Sequence, residues 1–231
     1  MNIKQTQGRG AMSNNVLILG ESGTGKSTSL RELNPAETFI INVVNKPLPF
    51  RGSKLKYTRF SSETNAGNSY ATDSPVTIRK LIGYINNNMP HIKTLIIDDF
   101  GYTISNAFMR KATQKGYEKF SELGADTFQI LDCIADLRED LCAVVIMHTD
   151  IDTNGKYKPR TIGKMIDQYI CIEGKFTIVL HALVNDGNYQ FLTNNDGQHM
   201  AKSPLGMFSE QYIDNDLNYV LQQITDYNQG E

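Results

Sequence analysis

A glycine-rich segment near the start of the chain constrains its fold and chemistry more than any other feature. Residues 20–28 read Gly-Glu-Ser-Gly-Thr-Gly-Lys-Ser-Thr and satisfy the pattern G-x-x-x-x-G-K-[ST]. The apolar run before them, at residues 16–19, predicts a strand buried on both faces, and residues 27–33 predict a helix after them. A strand, a glycine-rich turn and a helix in this order predict a phosphate-binding loop.

The residue types in this loop suit specific tasks. Glycines let the backbone wrap tightly so that successive N–H groups face a β-phosphate, and the start of the helix adds its positive dipole end. Lys26 is expected to span the β- and γ-phosphates, and Ser27 to supply a hydroxyl ligand to Mg²⁺. A plain connecting turn would leave Lys26 and Ser27 unexplained. The predicted nucleotide-binding residues are Gly20, Glu21, Ser22, Gly23, Thr24, Gly25, Lys26, Ser27 and Thr28.

A second segment, residues 94–99, is apolar until it ends in two carboxylates, which is the pattern of a Walker B strand. In an open α/β sheet the carboxyl tip of such a strand reaches the ligand crevice. We assign Asp98 to the magnesium shell, directly or through a water, and Asp99 to orienting or deprotonating the attacking water. Capping of the next helix by either aspartate is the alternative. Strong hydrolases often carry glutamate at the second position, so Asp99 leaves the rate open.

The next predicted strand, at residues 143–147, is followed by His148 and Thr149. Either side chain is a candidate sensor of the γ-phosphate, and the alternative is that both are merely polar residues at the end of a strand. A polar loop at residues 150–160 follows. The segment Asn-Lys-Pro at residues 45–47 superficially matches the guanine-reading N-K-x-D motif. It lacks the aspartate and comes too early, which favours ATP over GTP.

The remaining pattern predicts an α/β fold. Strands alternate with helices, which indicates a mostly parallel sheet flanked by helices. Further strands are expected at residues 39–44 and, within a stretch that is otherwise loop, at 56–60. Helices are expected from Ser74-Pro75, across residues 105–141 with a break near Gly116 or Gly124, and around Leu217 to Ile224. Residues 176–180 and 189–192 predict a β-hairpin turned by residues 185–188. We expect a flexible leader at residues 1–13 and one domain at residues 14–231.

Composition places only weak limits on the binding partners and the cellular location of the protein. The net charge of −2 gives no overall attraction to nucleic acid, so such binding would need a local basic surface. The three cysteines are too few and too scattered for a disulfide framework. No apolar run approaches the roughly 18 residues that span a bilayer. We expect a cytoplasmic protein without a membrane partner.

Four segments together resemble phage-encoded RecA-like ATP-binding proteins, a family that includes the Sak-type proteins of homologous recombination and single-strand annealing. They are the phosphate loop, residues 45–50 (Asn-Lys-Pro-Leu-Pro-Phe), residues 163–165 (Gly-Lys-Met) and residues 201–208 (Ala-Lys-Ser-Pro-Leu-Gly-Met-Phe). The resemblance covers residues 16–227. Only the phosphate loop and the Walker B strand are specific enough to stand alone.

The resemblance implies a RecA-like core that assembles into a homo-oligomer with ATP at the subunit interfaces and binds single-stranded DNA. For a phage protein, the resemblance also implies a location in the host-cell cytoplasm and a single-strand-binding protein or a helicase as partner. Arg160 and Lys164 lie where such proteins place a DNA-contacting loop, and either is also a candidate finger that reaches a neighbour's γ-phosphate. A solvated basic loop is the alternative. The chain lacks the glutamate that RecA carries at the end of its second strand.

Three functions therefore remain open. The leading expectation is an ATPase with ATP and Mg²⁺ that acts in DNA recombination or annealing. The second is a nucleotide-gated adaptor such as a helicase loader, in which turnover stays near background. The third is a nucleotide or small-molecule kinase, for which the sequence offers no identifiable acceptor pocket.

Overall fold

The computed structural model describes residues 15–116, 118–162, 167 and 170–230. Its strands are β1 (Val16–Gly20), β2 (Thr38–Asn42), β3 (Ser69–Ala71), β4 (Thr94–Asp98), β5 (Cys142–Ile151), β6 (Tyr157–Pro159), β7 (Ile178–Asn185), β8 (Asn188–Leu192) and β9 (Tyr212–Asp214). Its α-helices in these ranges are α1 (Ser53–Lys56), α2 (Pro75–Asn88), α3 (Gly101–Arg110), α4 (Glu118–Ala135) and α5 (Leu217–Gln229). Short 3-10 helices lie at Thr28–Glu32 and Glu173–Lys175.

The strands form one mixed sheet in the order β3-β2-β4-β5-β1-β7-β8-β9, with β6 paired to β5. The pairs from β3 through β7 along this order are parallel, and β8 and β9 extend the sheet antiparallel. The expected α/β class, with a mostly parallel sheet flanked by helices and an antiparallel extension near the C-terminus, is confirmed. Because β5 lies between β1 and β4, the ends of these three strands meet at one edge.

Two apolar clusters cover the two faces of this sheet. On one face, Leu19 and Ile97 pack with Ile78 of α2 and Ile130 of α4. On the other face, the clustered side chains come from the sheet, the first 3-10 helix and α5, and include Ile18, Leu30 and Val220. The continuous apolar runs of β1 and β4 follow from this burial on both sides.

The N-terminus of α2 is set by local sequence, as predicted. The Ser74 hydroxyl accepts a hydrogen bond from the Thr77 amide, and Pro75 occupies the first turn, where its missing N–H leaves no bond unmade. The expected apolar face is buried against the core, namely Ile78, Leu81, Ile82 and Ile85. The C-terminal hairpin is also confirmed, with Asp186 and Gly187 at its turn.

Two local predictions are wrong, and the bounds of a third are shifted. The segment after the phosphate loop is a five-residue 3-10 helix. Leu30 within it and Leu33 directly after it are both buried. The long helical region is broken near Gly116, as expected, but its two helices span Gly101–Arg110 and Glu118–Ala135 instead of residues 105–141. The short strand near residue 58 is replaced by the end of α1 and a single bridge from Arg59 to Ser69 of β3.

The predicted polar loop at residues 150–160 is largely a β-hairpin. Strand β5 continues to Ile151 and pairs antiparallel with β6. The Asp152 carboxylate accepts hydrogen bonds from the amides of Asn154 and Lys156, and Gly155 adopts a positive φ of 77°. These side-chain bonds within the turn allow the strands to continue further than the polar composition suggests.

A buried histidine links this hairpin to the central sheet. His181 on β7 is 2% exposed, and its ring lies 5.2 Å from Tyr157 and 4.6 Å from His199, centroid to centroid. His199 in turn contacts Asp196 through Nδ1 at 2.7 Å. Burial, reinforced by His199 and by Lys26, lowers the pKa of His181 to about 4, with Asp196 opposing the shift. His181 is therefore neutral in the folded protein at neutral pH.

We predict that acid destabilises the fold through His181. Its pKa of about 4 in the folded protein lies below the ordinary histidine value of 6.5, so its contribution to stability is complete above about pH 6.5 and is lost as the pH falls toward 4. The difference between these two pKa values corresponds to about 3 kcal/mol in the free energy of unfolding. As the pH is lowered through this window, the melting temperature of the wild type should fall more than that of His181→Phe. The exposed His91→Asn is the control, and parallel curves for wild type and His181→Phe would exclude this role.

Within the described ranges, every helix is either too short or too polar to span a bilayer.

Candidate functional site

The phosphate loop lies at the carboxyl edge of the parallel strands, beside both carboxylates of β4. Parallel pairing places Gly20 next to His148 of β5, and Asn42 of β2 next to Asp98. Gly20 has no room for a side chain, since a Cβ there would lie 2.6 Å from the Ala182 carbonyl oxygen. Within the described chain, no amide N–H of residues 22–27 donates a hydrogen bond. These amides are consequently available to an anion.

Lys26 is buried within this loop. It is 6% exposed, and its Nζ donates hydrogen bonds to the carbonyl oxygens of Gly20 at 2.8 Å and Glu21 at 2.5 Å. Burial lowers the pKa of Lys26 to about 8, and the charges of Asp99 and Asp98 limit the decrease. The side chain is thus still mainly protonated at neutral pH and carries a positive charge in a site with little access to water.

Ser27 and Asp98 form a pair of oxygen donors. The Ser27 hydroxyl donates to Asp98 Oδ1 at 2.9 Å, and Asp98 is 1% exposed. Burial and the neighbouring Asp99 raise the pKa of Asp98 to about 6, although Ser27, Lys46 and Lys26 oppose the increase. A buried carboxylate held beside a hydroxyl is a suitable partner for a divalent cation.

The donor set fits Mg²⁺ only with help from a ligand. No group of three His, Cys, Asp or Glu side chains in the described ranges is arranged to hold a metal ion. Mg²⁺ commonly uses one or two protein oxygens, completed by phosphate oxygens and waters. Ser27 and Asp98 match that pattern, so these residues would hold the ion together with a bound phosphate.

Asp99 has a different environment from its neighbour. It adopts a positive φ of 62°, which is uncommon for a residue other than glycine, and it is 3% exposed. Its carboxylate lies 2.5 Å from Lys46 Nζ through Oδ2 and 3.3 Å from His148 Nε2 through Oδ1. Burial alone would raise the pKa of Asp99, but His148 and Lys46 together lower it below its ordinary value. Asp99 is therefore ionised and firmly held.

The other predicted catalytic residues differ in how close they lie to Asp99. His148 contacts Asp99 directly, whereas Thr149 is one residue further and its Oγ1 has no hydrogen-bond partner in the described part of the chain. The Arg160 amide donates to the His148 carbonyl oxygen at 2.8 Å, but its exposed side chain does not line the cavity. Lys164 lies outside the described residues.

One cavity of about 680 Å³ joins these groups, a size that suits a nucleotide-like ligand. Its lining includes Lys26, Ser27, Lys46, Asp99 and His148. Its lining also includes residues that sequence reasoning did not assign to the site, among them Arg31, Tyr189, Asp214 and Asn215.

Lys46 was also missed as a functional residue. In the sequence it belongs to a segment that partly matches a guanine-reading motif and contributes to the family resemblance, and neither likeness gives Lys46 a role. Its position directly after a predicted parallel strand was the available signal, because the loops after such strands meet at one edge. Its pairing with Asp99 depends on the adjacency of β2 and β4, which the sequence pattern does not specify.

Comparison with known proteins adds no further identification. The chain matches no protein-family model, and it matches no curated protein. The functional argument therefore depends on the residues themselves.

Proposed function

We propose that this protein is a Mg²⁺-dependent ATPase with a RecA-like core, acting on single-stranded DNA in recombination or annealing. The observation that carries the proposal is that buried Lys26, Ser27 and Asp99 line one cavity, with the buried Asp98 carboxylate hydrogen-bonded to Ser27 directly behind its wall. A buried ammonium, unpaired loop amides and a carboxylate with an adjacent hydroxyl together complement a triphosphate and its cation. The strand order supports this, because β5 brings His148 between the phosphate loop and β4.

Each residue has a role in this proposal. The loop amides and Lys26 bind the phosphates, and Ser27 and Asp98 hold the ion, which would draw charge from the transferring phosphate. Asp99 orients the attacking water, and His148 fixes the carboxylate in place. Because Lys46 also pairs with Asp99 and lowers its pKa, Asp99 is a weak base while this ion pair persists. Slow turnover is expected until Lys46 moves from Asp99 to a phosphate.

The proposed DNA contact lies on the β5–β6 hairpin. Lys156 and Arg160 are exposed there, but Lys158 is paired with Asp167 at 2.5 Å, and Asp150 and Asp152 reduce the positive charge. DNA affinity should therefore be modest and should fall steeply with salt. The exposed Arg160 also suits the proposed contact with a neighbouring subunit's nucleotide in a homo-oligomer.

We predict that single-stranded DNA stimulates ATP turnover at low salt. Release of inorganic phosphate should rise severalfold with DNA, and Lys156→Ala should reduce this stimulation while keeping its basal rate. Lys80→Ala, a change to an exposed residue on α2, is the matched control. A rate indifferent to DNA at low salt would count against recombination, whereas turnover near background with retained ATP binding would favour the helicase-loader adaptor.

One observation favours the kinase as a second candidate. A polar cavity of about 470 Å³ adjoins the first and shares Lys46 and Pro47 with it. Arg59 and Tyr70 line this second cavity, which has the size of an acceptor pocket. A kinase would transfer the γ-phosphate to an added nucleotide or small molecule, and release of phosphate to water alone would exclude it.

A further inference from the structure

The cavity beside the phosphate loop has two chemically distinct sets of lining residues. One set is ionic and consists of Lys46, Asp99 and His148, which contact one another. This set suits the terminal phosphate and its cation. Tyr189 and Asn215 instead belong to the β8–β9 side of the sheet, which β5, β1 and β7 separate from β4. A triphosphate whose γ-phosphate lies near Asp99 would therefore direct its nucleoside toward Tyr189 and Asn215.

Asn215 has a carboxamide without a hydrogen-bond partner. Its backbone is well fixed, since its amide donates to the Tyr189 carbonyl oxygen at 3.2 Å and its carbonyl oxygen accepts from Arg31 at 2.6 Å. The residue is 4% exposed, yet neither Nδ2 nor Oδ1 forms a hydrogen bond within the described chain. Buried polar side chains are nearly always paired, so an unpaired donor and acceptor in a cavity wall point to a ligand.

Tyr189 provides a flat apolar surface next to this carboxamide. It is 53% exposed although it lines the cavity. Both side chains lie against the phosphate loop: a Cβ at Gly25 would be 2.9 Å from Tyr189 Cδ1 and 3.1 Å from Asn215 Oδ1. Gly25 thus permits an aromatic ring and an amide to approach the loop closely. Such a ring is suited to stacking on a nucleobase.

We propose that Asn215 and Tyr189 form the base-reading end of the cavity and select adenine over guanine. Adenine presents an N6 donor beside an N7 acceptor, which an asparagine amide pairs with through both of its groups. Guanine presents two acceptors on the same edge, which would leave the Asn215 carbonyl oxygen facing O6. Because Asn215 is buried beside Tyr189, this pairing requires the half-exposed Tyr189 ring to move and stack on the base. This assignment rests on the proposed nucleotide-binding function.

The test compares three ligands by calorimetry: MgATP, MgGTP and magnesium tripolyphosphate, which has phosphates but no base. The wild type should bind ATP at least about 10-fold more tightly than GTP. Asn215→Leu should reduce that preference to within roughly 3-fold. Tyr189→Ala should weaken both nucleotides by about 10-fold or more without changing tripolyphosphate binding. Tyr219→Ala, at an exposed tyrosine on α5, is the matched control.

Thermal melting separates base recognition from a structural role for Asn215. Removing an unpaired buried amide should leave the melting temperature of the nucleotide-free protein unchanged or higher, whereas a structural asparagine would lower it. Equal wild-type affinities for ATP and GTP, or a preference retained in Asn215→Leu, would overturn the base-reading site alone. If the wild type binds none of the three ligands, the proposed function itself fails and this assignment fails with it.

Discussion

Substituting Lys26 by alanine is expected to weaken MgATP binding by roughly 100-fold or more and to abolish detectable turnover. The Lys26 ammonium is buried and charged, and it lies within reach of two loop carbonyls and the field of both aspartates. A charged hydrogen bond in such a setting contributes about 1.5–3 kcal/mol, and a bridging lysine would make two. Calorimetric titration of the wild type and the variant measures the loss directly.

The control for this substitution is Lys80→Ala, because Lys80 is exposed on α2 and does not line the cavity. It should bind MgATP as the wild type does. Circular dichroism should show the same fold for both variants. Retention of near-wild-type affinity in a folded Lys26→Ala protein would mean that the loop does not bind a triphosphate through this side chain.

Asp98→Asn is expected to have opposite effects on stability and on function. At neutral pH the Asp98 carboxylate of the wild type is ionised, although burial and the charge of Asp99 both disfavour the ionised form. Because its pKa of about 6 in the folded protein lies above the ordinary aspartate value of 3.8, stability is lost as the pH rises through that interval and stays reduced above it. Removing the charge should stabilise the nucleotide-free protein by about 3 kcal/mol, which raises the melting temperature by roughly 5–10 °C. The same change should reduce Mg²⁺-dependent turnover by about 100-fold or more.

Comparison with Asp99→Asn distinguishes the two carboxylates. That variant should keep Mg²⁺-dependent ATP binding, because Ser27 and Asp98 are intact, but it should lose turnover. It should not be stabilised, because Lys46 and His148 already favour the charged form of Asp99. Equal stability changes at neutral pH in the two variants, or unchanged turnover in Asp98→Asn, would contradict the roles assigned here.

The parts of the fold that the sequence predicted well depend on local pattern. Strands β1 and β4 lie where continuous apolar runs placed them, because both faces of the sheet are covered. The start of α2 follows from Ser74 and Pro75, and the β7–β8 turn follows from Asp186-Gly187. Each of these features is set by neighbouring residues or by the period of the pattern.

The features that the sequence did not predict depend on distant contacts or on detailed turn chemistry. The β5–β6 hairpin needs the Asp152 side chain to bond within its own turn. The Lys46–Asp99 ion pair needs β2 and β4 to be neighbours. Tyr189 and Asn215 reach the phosphate loop only because β8 and β9 extend the sheet beyond β7. A single sequence shows the identity of these residues but not their proximity.

Hydrogen–deuterium exchange at the phosphate loop tests the central claim most directly. The amides of residues 22–27 have no hydrogen-bond acceptors within the described chain, so they should exchange rapidly in the free protein. Saturating MgATP should slow their exchange substantially, while the exposed turn of the β5–β6 hairpin stays unchanged. Exchange in the loop that is identical with and without millimolar MgATP would contradict the claim that these amides and Lys26 bind a triphosphate.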